Sequence, residues 1–314
     1  MIALSTFAPA CSDDDEPTIR EEHEATLSTV EVQGDTLAFL DVNGASDRGT
    51  LVLLHGIPTS SLLYRKVAPA IAERTGWRVI ALDLLGFGAS DKPLRAGAYS
   101  VGAHAARTLE TLSNLGVSNF VLGLHDIGGF VGWEMLSRSD ERIDALAIVN
   151  TTAYADGLTP APRTQEIIAG EKTPREAWGA LDDPEFAHTV AREFLEIGLA
   201  DPADASDELV SAYAAPLSEG SSEAFVQFFE GIGPVLMSEP ERRQTFTEYG
   251  RPVLVVHGDQ DRFFEAATVT RLFAEDFAVP ESRVRIVEGA GHYVQEDAPD
   301  AYVEALSDFL LDLD

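Results

Sequence analysis

The chain is poor in positive charge and almost without cysteine. Its 314 residues hold 22 Lys and Arg against 53 Asp and Glu, a formal net charge of −31. Such a surface repels phosphate backbones and anionic headgroups, which argues against nucleic acid or an acidic membrane as a partner. The acids are scattered rather than blocked, the pattern of a solvation device, so salt-tolerant, halophilic behaviour is expected. The single cysteine, Cys11, excludes an intramolecular disulfide. No apolar run is long enough to cross a bilayer. No His, Cys, Asp and Glu cluster has metal-ligand spacing, and Gly86-Phe87-Gly88 is a short turn, not a nucleotide fingerprint. Neither a metal nor an organic cofactor is expected.

What is present is enough apolar material for a full core. Hydrophobic residues make up 45% of the chain, and the length suits one large domain or a domain carrying an insertion. The N-terminus stands apart. A small-residue run ends in Cys11 and is followed by Ser12-Asp13-Asp14-Asp15-Glu16. It resembles a bacterial lipoprotein processing site, although the apolar part is short and no Lys or Arg precedes it. The expectation is a signal-like segment with linker over residues 1–25, a lipid anchor on Cys11 with export, or otherwise a cytoplasmic protein. Residues 12 to about 26 read as an unstructured acidic linker.

Periodicity predicts early strands near Thr26–Val32 and Thr36–Val42, then buried strands at Thr50–Leu54, Trp77–Leu82, Asn119–Leu124 and Ile143–Val149. Helices are predicted from Ser60 to about Arg74, from Val101 to about Leu115 and from Phe130 to Arg138. From Tyr154 to Glu248 the pattern is helical throughout, punctuated by prolines. Alternation resumes with strands at Pro252–Val256 and Arg283–Val287 and helices at Ala266–Phe277 and Pro299–Leu313. This is an α/β core over 26–153 and 249–314, interrupted by a helical cap over 154–248.

The most informative residue is Asp126. The apolar run Phe120-Val121-Leu122-Gly123-Leu124 stops at His125-Asp126, and Gly128-Gly129 follow. A strand, a sharp turn and a helix are implied, with one side chain lifted to the top of a sheet. A carboxylate there attacks carbon by displacement and leaves an ester on the enzyme. Two further strand ends carry chemistry: Val256-His257-Gly258-Asp259-Gln260-Asp261, and Glu288-Gly289-Ala290-Gly291-His292. The order nucleophile, acid, histidine is that of the α/β-hydrolase fold, and each lies after a strand, where open parallel sheets place their sites. In this reading Asp126 attacks, His292 activates water, and Asp261, with Asp259 as rival, orients His292. The N–H groups of Ile57 and Ile127 hold the oxyanion. His55 and His125 are read as structural.

At these residues the chain resembles the haloalkane dehalogenase and epoxide hydrolase branch of the α/β-hydrolases, from about Thr26 onward. The matching segments are His55-Gly56-Ile57-Pro58-Thr59-Ser60, Asp83-Leu84-Leu85-Gly86-Phe87-Gly88-Ala89-Ser90-Asp91-Lys92-Pro93, His125-Asp126-Ile127-Gly128-Gly129 and Gly289-Ala290-Gly291-His292. The resemblance implies a mostly parallel central sheet flanked by helices with an inserted cap. It also implies a small apolar electrophile and water as reactants. Leu85 and Ser211-Ala212-Tyr213-Ala214-Ala215-Pro216 look more like dehalogenases.

Two departures bear on substrate. Dehalogenases usually carry Trp after the nucleophile and often Asn after the His-Gly pair, both binding the departing halide; here the positions are Ile127 and Ile57. Trp178 is the remaining halide-binding candidate that the resemblance offers. An epoxide hydrolase needs an acid over the ring oxygen, for which Tyr154 and Tyr213 are candidates. Two other readings stand beside these: a ligand-binding protein without turnover, and a hydrolase using Asp126 as general base.

Overall fold

The computed structural model describes residues 16–138, 141–237 and 239–313. Cys11 and the signal-like segment before residue 16 lie outside the described residues. Eight strands form one sheet: β1 (Leu27–Val32), β2 (Asp35–Val42), β3 (Thr50–Leu54), β4 (Arg78–Leu82), β5 (Phe120–His125), β6 (Ile143–Val149), β7 (Val253–Gly258) and β8 (Val284–Val287). Their order is β1-β2-β4-β3-β5-β6-β7-β8. β2 is antiparallel to β1 and β4, and every other pairing is parallel. Strands β3, β5 and β7 are buried almost throughout, because helices cover both faces of a parallel sheet.

The helices are α1 (Ile19–Glu24), α2 (Val67–Thr75), α3 (Val101–Asn114), α4 (Ile127–Ser137), α5 (Pro162–Ile168), α6 (Pro174–Trp178), α7 (Pro184–Gly198), α8 (Asp207–Ser218), α9 (Ser222–Met237), α10 (Glu239–Tyr249), α11 (Ala266–Asp276), α12 (Val294–Asp297) and α13 (Pro299–Leu311). Six of them, α5 to α10, lie between β6 and β7. No helix among the described residues is long and apolar enough to cross a membrane.

Two expectations are corrected. The residues before Ala25 are not an unstructured linker throughout, since Ile19–Glu24 is a helix. Thr18 and Glu21 form a reciprocal capping box at its start. His23 is buried against Ser61, with Nε2 and Oγ 2.9 Å apart. The helix expected from Ser60 to Arg74 is broken: a 3₁₀ turn at Ser61–Tyr64 precedes α2. Asp83 accepts the Ser61 N–H at 2.7 Å, a contact made across the fold that fixes this turn.

Candidate active site

Asp126 joins β5 to α4 with φ 50° and ψ −123°, a conformation costing roughly 1–3 kcal/mol that the surrounding structure must hold in place. The glycines explain how. A Cβ at Gly56 would collide with the Asp126 side chain, and one at Gly128 would meet the Leu54 carbonyl oxygen at 2.6 Å. The turn is therefore tight because three backbone segments meet where side chains would not fit. Thr151 Oγ1 donates to the Asp126 carbonyl at 2.6 Å, and Asp126 N–H donates to the Asn150 carbonyl at 3.1 Å.

The Asp126 carboxylate is anchored at one oxygen. Oδ1 accepts the Ile57 N–H at 2.8 Å, and the Ile127 N–H also bonds the carboxylate. Oδ2 lies 3.8 Å from His292 Nε2. Burial pushes the Asp126 carboxyl above the ordinary carboxylate range, against the pull of His292 and the two N–H groups.

His292 follows β8 in a glycine-rich turn and is 1% exposed. Its Nδ1 is 3.1 Å from Asp261 Oδ2. Burial disfavours the imidazolium, yet the Asp261 charge and hydrogen bond, with Asp126 adding, hold His292 above the ordinary imidazole value. Asp261 is itself tightly bound. Oδ1 accepts the N–H groups of Phe263 and Phe264 at 2.8 and 3.1 Å, and Oδ2 accepts Asn150 Nδ2 at 2.8 Å. His257 Nε2 lies 3.3 Å from Oδ2. Burial opposes ionisation of Asp261, but His292 and His257 win and hold it well below the ordinary carboxylate range. The exposed rival, Asp259, accepts the Gly289 N–H at 2.8 Å and serves that turn.

The two other histidines nearby are held by backbone. His55 Nδ1 lies 2.8 Å from the Gly56 carbonyl, and its Nε2 accepts the Leu84 N–H at 3.1 Å. His125 Nε2 lies 3.0 Å from the His292 carbonyl, with ring centroids 4.6 Å apart. Burial lowers both imidazoles, His125 to well below its ordinary value.

An alpha/beta hydrolase fold family model matches residues 49–179 and 217–299. The chain belongs to the alpha/beta hydrolase fold family. This hydrolase is 28% identical over 268 residues to a haloalkane dehalogenase of Mycolicibacterium paratuberculosis, 82% of each chain. It is 29% identical over 255 residues to haloalkane dehalogenase 1 of Mycobacterium tuberculosis, 79% of each. Among solved structures, an alpha/beta hydrolase fold protein from Burkholderia ambifaria is 27% identical, covering 90% of this chain and 97% of its own, with TM-score 0.73. The fold is also that of the epoxide hydrolase CorEH, at 24% identity, 92% and 99% coverage and TM-score 0.74.

Above Asp126 and His292 the hydrolase holds a cavity of about 100 Å³. Its floor is Ile57, Ile127, Phe130, Phe263 and Phe264 from the core. Leu158, α5, Phe194 of α7 and Phe228, Phe229 and Ile232 of α9 form the remaining walls. Apart from Asp126 and His292, Thr164 is the only polar side chain in the lining, and its hydroxyl makes no hydrogen bond among the described residues.

The aromatic candidates from the sequence do not line this cavity. Tyr154 is buried with its hydroxyl donating to Asp276 at 3.0 Å. Tyr213 donates to Glu296 at 2.8 Å, where Arg65 and Lys66 also converge. Trp178 is fully buried, stacked on Phe229 at 5.3 Å, with its indole N–H unpartnered. It stands behind the phenylalanine wall. Large aromatics bury their area first, and a phenol inside a core bonds the nearest carboxylate. Sequence reasoning missed Thr164, which no local pattern marks. It also missed the Phe263-Phe264 N–H pair that fixes Asp261, although these residues directly follow the acid.

Proposed function

We propose that this hydrolase cleaves carbon–halogen bonds of apolar alkyl halides, with Asp126 as nucleophile and an alkyl ester on Asp126 as intermediate. The observation that carries the reading is the asymmetric hold on Asp126. Oδ1 is fixed by the Ile57 N–H at 2.8 Å, while Oδ2 faces His292 Nε2 at 3.8 Å at the floor of an apolar cavity.

In the first step Oδ2 attacks the substrate carbon, the carbon–halogen bond breaks and halide leaves with the bonding pair. In the second, His292 Nε2 takes a proton from water, whose oxygen adds to the Asp126 carboxyl carbon. The negative charge developing on Oδ1 is stabilised by the Ile57 and Ile127 N–H groups. Collapse expels the alkoxide, which takes the proton from His292. The regenerated carboxylic acid then loses its proton to solvent through His292. The balance is alkyl halide plus water giving alcohol, halide and a proton. Asp261 holds the ring and stabilises the imidazolium.

A halide leaves as a stable anion, whereas an epoxide oxygen needs a proton donor. Tyr154 and Tyr213 are engaged elsewhere, and the named dehalogenase relatives point the same way. With Ile57 and Ile127 in place of side-chain halide donors and Trp178 outside the lining, good leaving groups are favoured. The test is intact-mass spectrometry of His292→Ala treated separately with 1-bromobutane and styrene oxide. A butyl adduct on Asp126 is the expected result. An adduct from the epoxide alone overturns the leaving-group assignment, and no adduct from either overturns the nucleophile. As for cellular location, Cys11 is proposed as a lipid-anchor site; recovery of only soluble, unmodified protein after expression in a bacterium overturns it.

A further inference from the structure

We infer that His257 is a positioning residue for the acid: its Nε2–H, shared between the Phe264 carbonyl and Asp261 Oδ2, fixes the oxygen that His292 meets and takes up part of its charge. The effect on turnover rests on the alkyl-ester reading. The effect on His292 itself does not.

His257 lies near the end of β7 and is buried. Its Nε2 is 3.0 Å from the Phe264 carbonyl oxygen and 3.3 Å from Asp261 Oδ2. A carbonyl only accepts, so Nε2 carries the proton and aims it between the two oxygens. Phe264 returns the contact, since its N–H donates to Asp261 Oδ1. His257, Phe264 and Asp261 therefore close a ring that holds the carboxylate in one orientation.

The carboxylate is crowded. Oδ1 receives the Phe263 and Phe264 N–H groups, and Oδ2 is met by Asn150 Nδ2, His292 Nδ1 and His257 Nε2. Five donors exceed the roughly four lone-pair sites of a carboxylate, so two imidazoles divide one oxygen. In the resting enzyme this weakens the pull of Oδ2 on His292, which must be neutral to take a proton from water. When His292 becomes an imidazolium its bond to Oδ2 becomes charge-assisted and strengthens, and His257 keeps the Phe264 carbonyl as its partner. The other charged groups acting here are Asp126 and Asp297 on His292, and Glu265 beside His257. Acids cannot donate to Oδ2, and His125 donates to the His292 carbonyl. A substitution at 257 thus leaves these groups as they are and changes only what Oδ2 receives.

The experiment uses the full chain with His257→Leu, which removes the donor, and His257→Gln, whose amide nitrogen reaches about where Nε2 stands. The first readout needs no substrate: the titration of the His292 ring followed by ¹⁵N NMR. With one donor gone, Oδ2 pulls harder on His292, and its midpoint should rise by about half a pH unit in His257→Leu, the scale of one hydrogen bond. It should return toward wild type in His257→Gln. In single turnovers with 1-bromobutane at pH 7, hydrolysis of the ester should slow roughly tenfold in His257→Leu, the scale of one hydrogen bond to a charged group. Its formation should change little, and glutamine should restore the rate. A merely structural histidine would slow both steps alike. Should the leucine variant not fold, His257→Asn replaces it with the same expectations, because its shorter amide stops short of Oδ2. An unmoved His292 midpoint, or a glutamine variant no better than leucine, overturns the inference. The two readings fail separately. No butyl adduct in His292→Ala sinks the alkyl-ester reading while the titration still decides the role of His257, and an adduct with an unmoved titration does the reverse.

Discussion

Ile57 reaches Asp126 with its backbone N–H, not its side chain, and at 2.8 Å it fixes one of the two carboxylate oxygens. The side chain that points into the cavity is apolar. The same residue thus supplies an oxyanion donor and withholds a halide donor.

This contact depends on Gly56. Gly56→Ala would drive a methyl group into the Asp126 side chain and displace the Ile57 N–H. Steady-state assay should show a loss of at least about 10²-fold, the scale for removing one oxyanion donor. Near-wild-type turnover in a folded variant would refute that role for the Ile57 amide.

Asp261→Asn keeps the shape of the acid and removes its charge. His292 loses the main influence raising its pKa, and water activation should slow by roughly 10³–10⁴-fold. Alkylation of Asp126 should persist, so rapid-quench mass spectrometry should find the ester accumulating. A variant that turns over freely without accumulating ester assigns the orienting role to another group.

The pH dependence has two limbs. Asp126 must be ionised to attack, and burial raises its carboxyl, so alkylation should fail on the acid side while free carboxylates are still charged. His292 must be neutral to take a proton from water, and its value is raised. Ester hydrolysis should therefore rise with pH through a midpoint above about 6.5, the ordinary imidazole value. Stability follows different signs. The lowered Asp261 stabilises above the ordinary carboxylate value, and this is lost as pH falls through its folded value. The raised His292 stabilises below about 6.5, and this is lost as pH rises through its folded value. Single-turnover profiles that instead place the hydrolysis midpoint at or below 6.5 would contradict the raised imidazole.

Three aromatic substitutions test where the leaving group is held. Tyr154→Phe, Tyr213→Phe and Trp178→Phe should each leave kcat on 1-bromoalkanes within a few-fold of wild type. The two tyrosine variants should lose about 1 kcal/mol of stability each, for one buried hydrogen bond. Bromide and iodide should leave faster than chloride, and Thr164→Val should widen the chloride deficit. A tenfold fall in kcat for any one of the aromatic variants would return it to the reaction centre.

Much of this site was legible because it is built from strand ends. The strands β3, β5, β6 and β7 end just before His55, Asp126, Asn150 and Asp259, and parallel packing brings those ends together whatever the surface does. The acid and base follow from chain order and glycine spacing. What local pattern could not give is orientation. Whether Trp178, Tyr154 or Tyr213 faces the cavity depends on which neighbours each meets, and Asp276, Glu296 and Phe229 come from far away in sequence. The helix α1 was hidden differently. Its capping pair Thr18 and Glu21 is visible in the sequence, but it sits in an acidic stretch whose composition suggested a chain without structure.

That short helix has a mechanical consequence. His23 docks on Ser61 in the core, while Arg20 pairs with Glu219 at the end of α8, 2.8 Å away. One turn-and-a-half of chain thereby rivets the 3₁₀ turn before α2 to the end of α8. Trimming the protein back to its first strand would remove the rivet and leave that end of α8 free to rock.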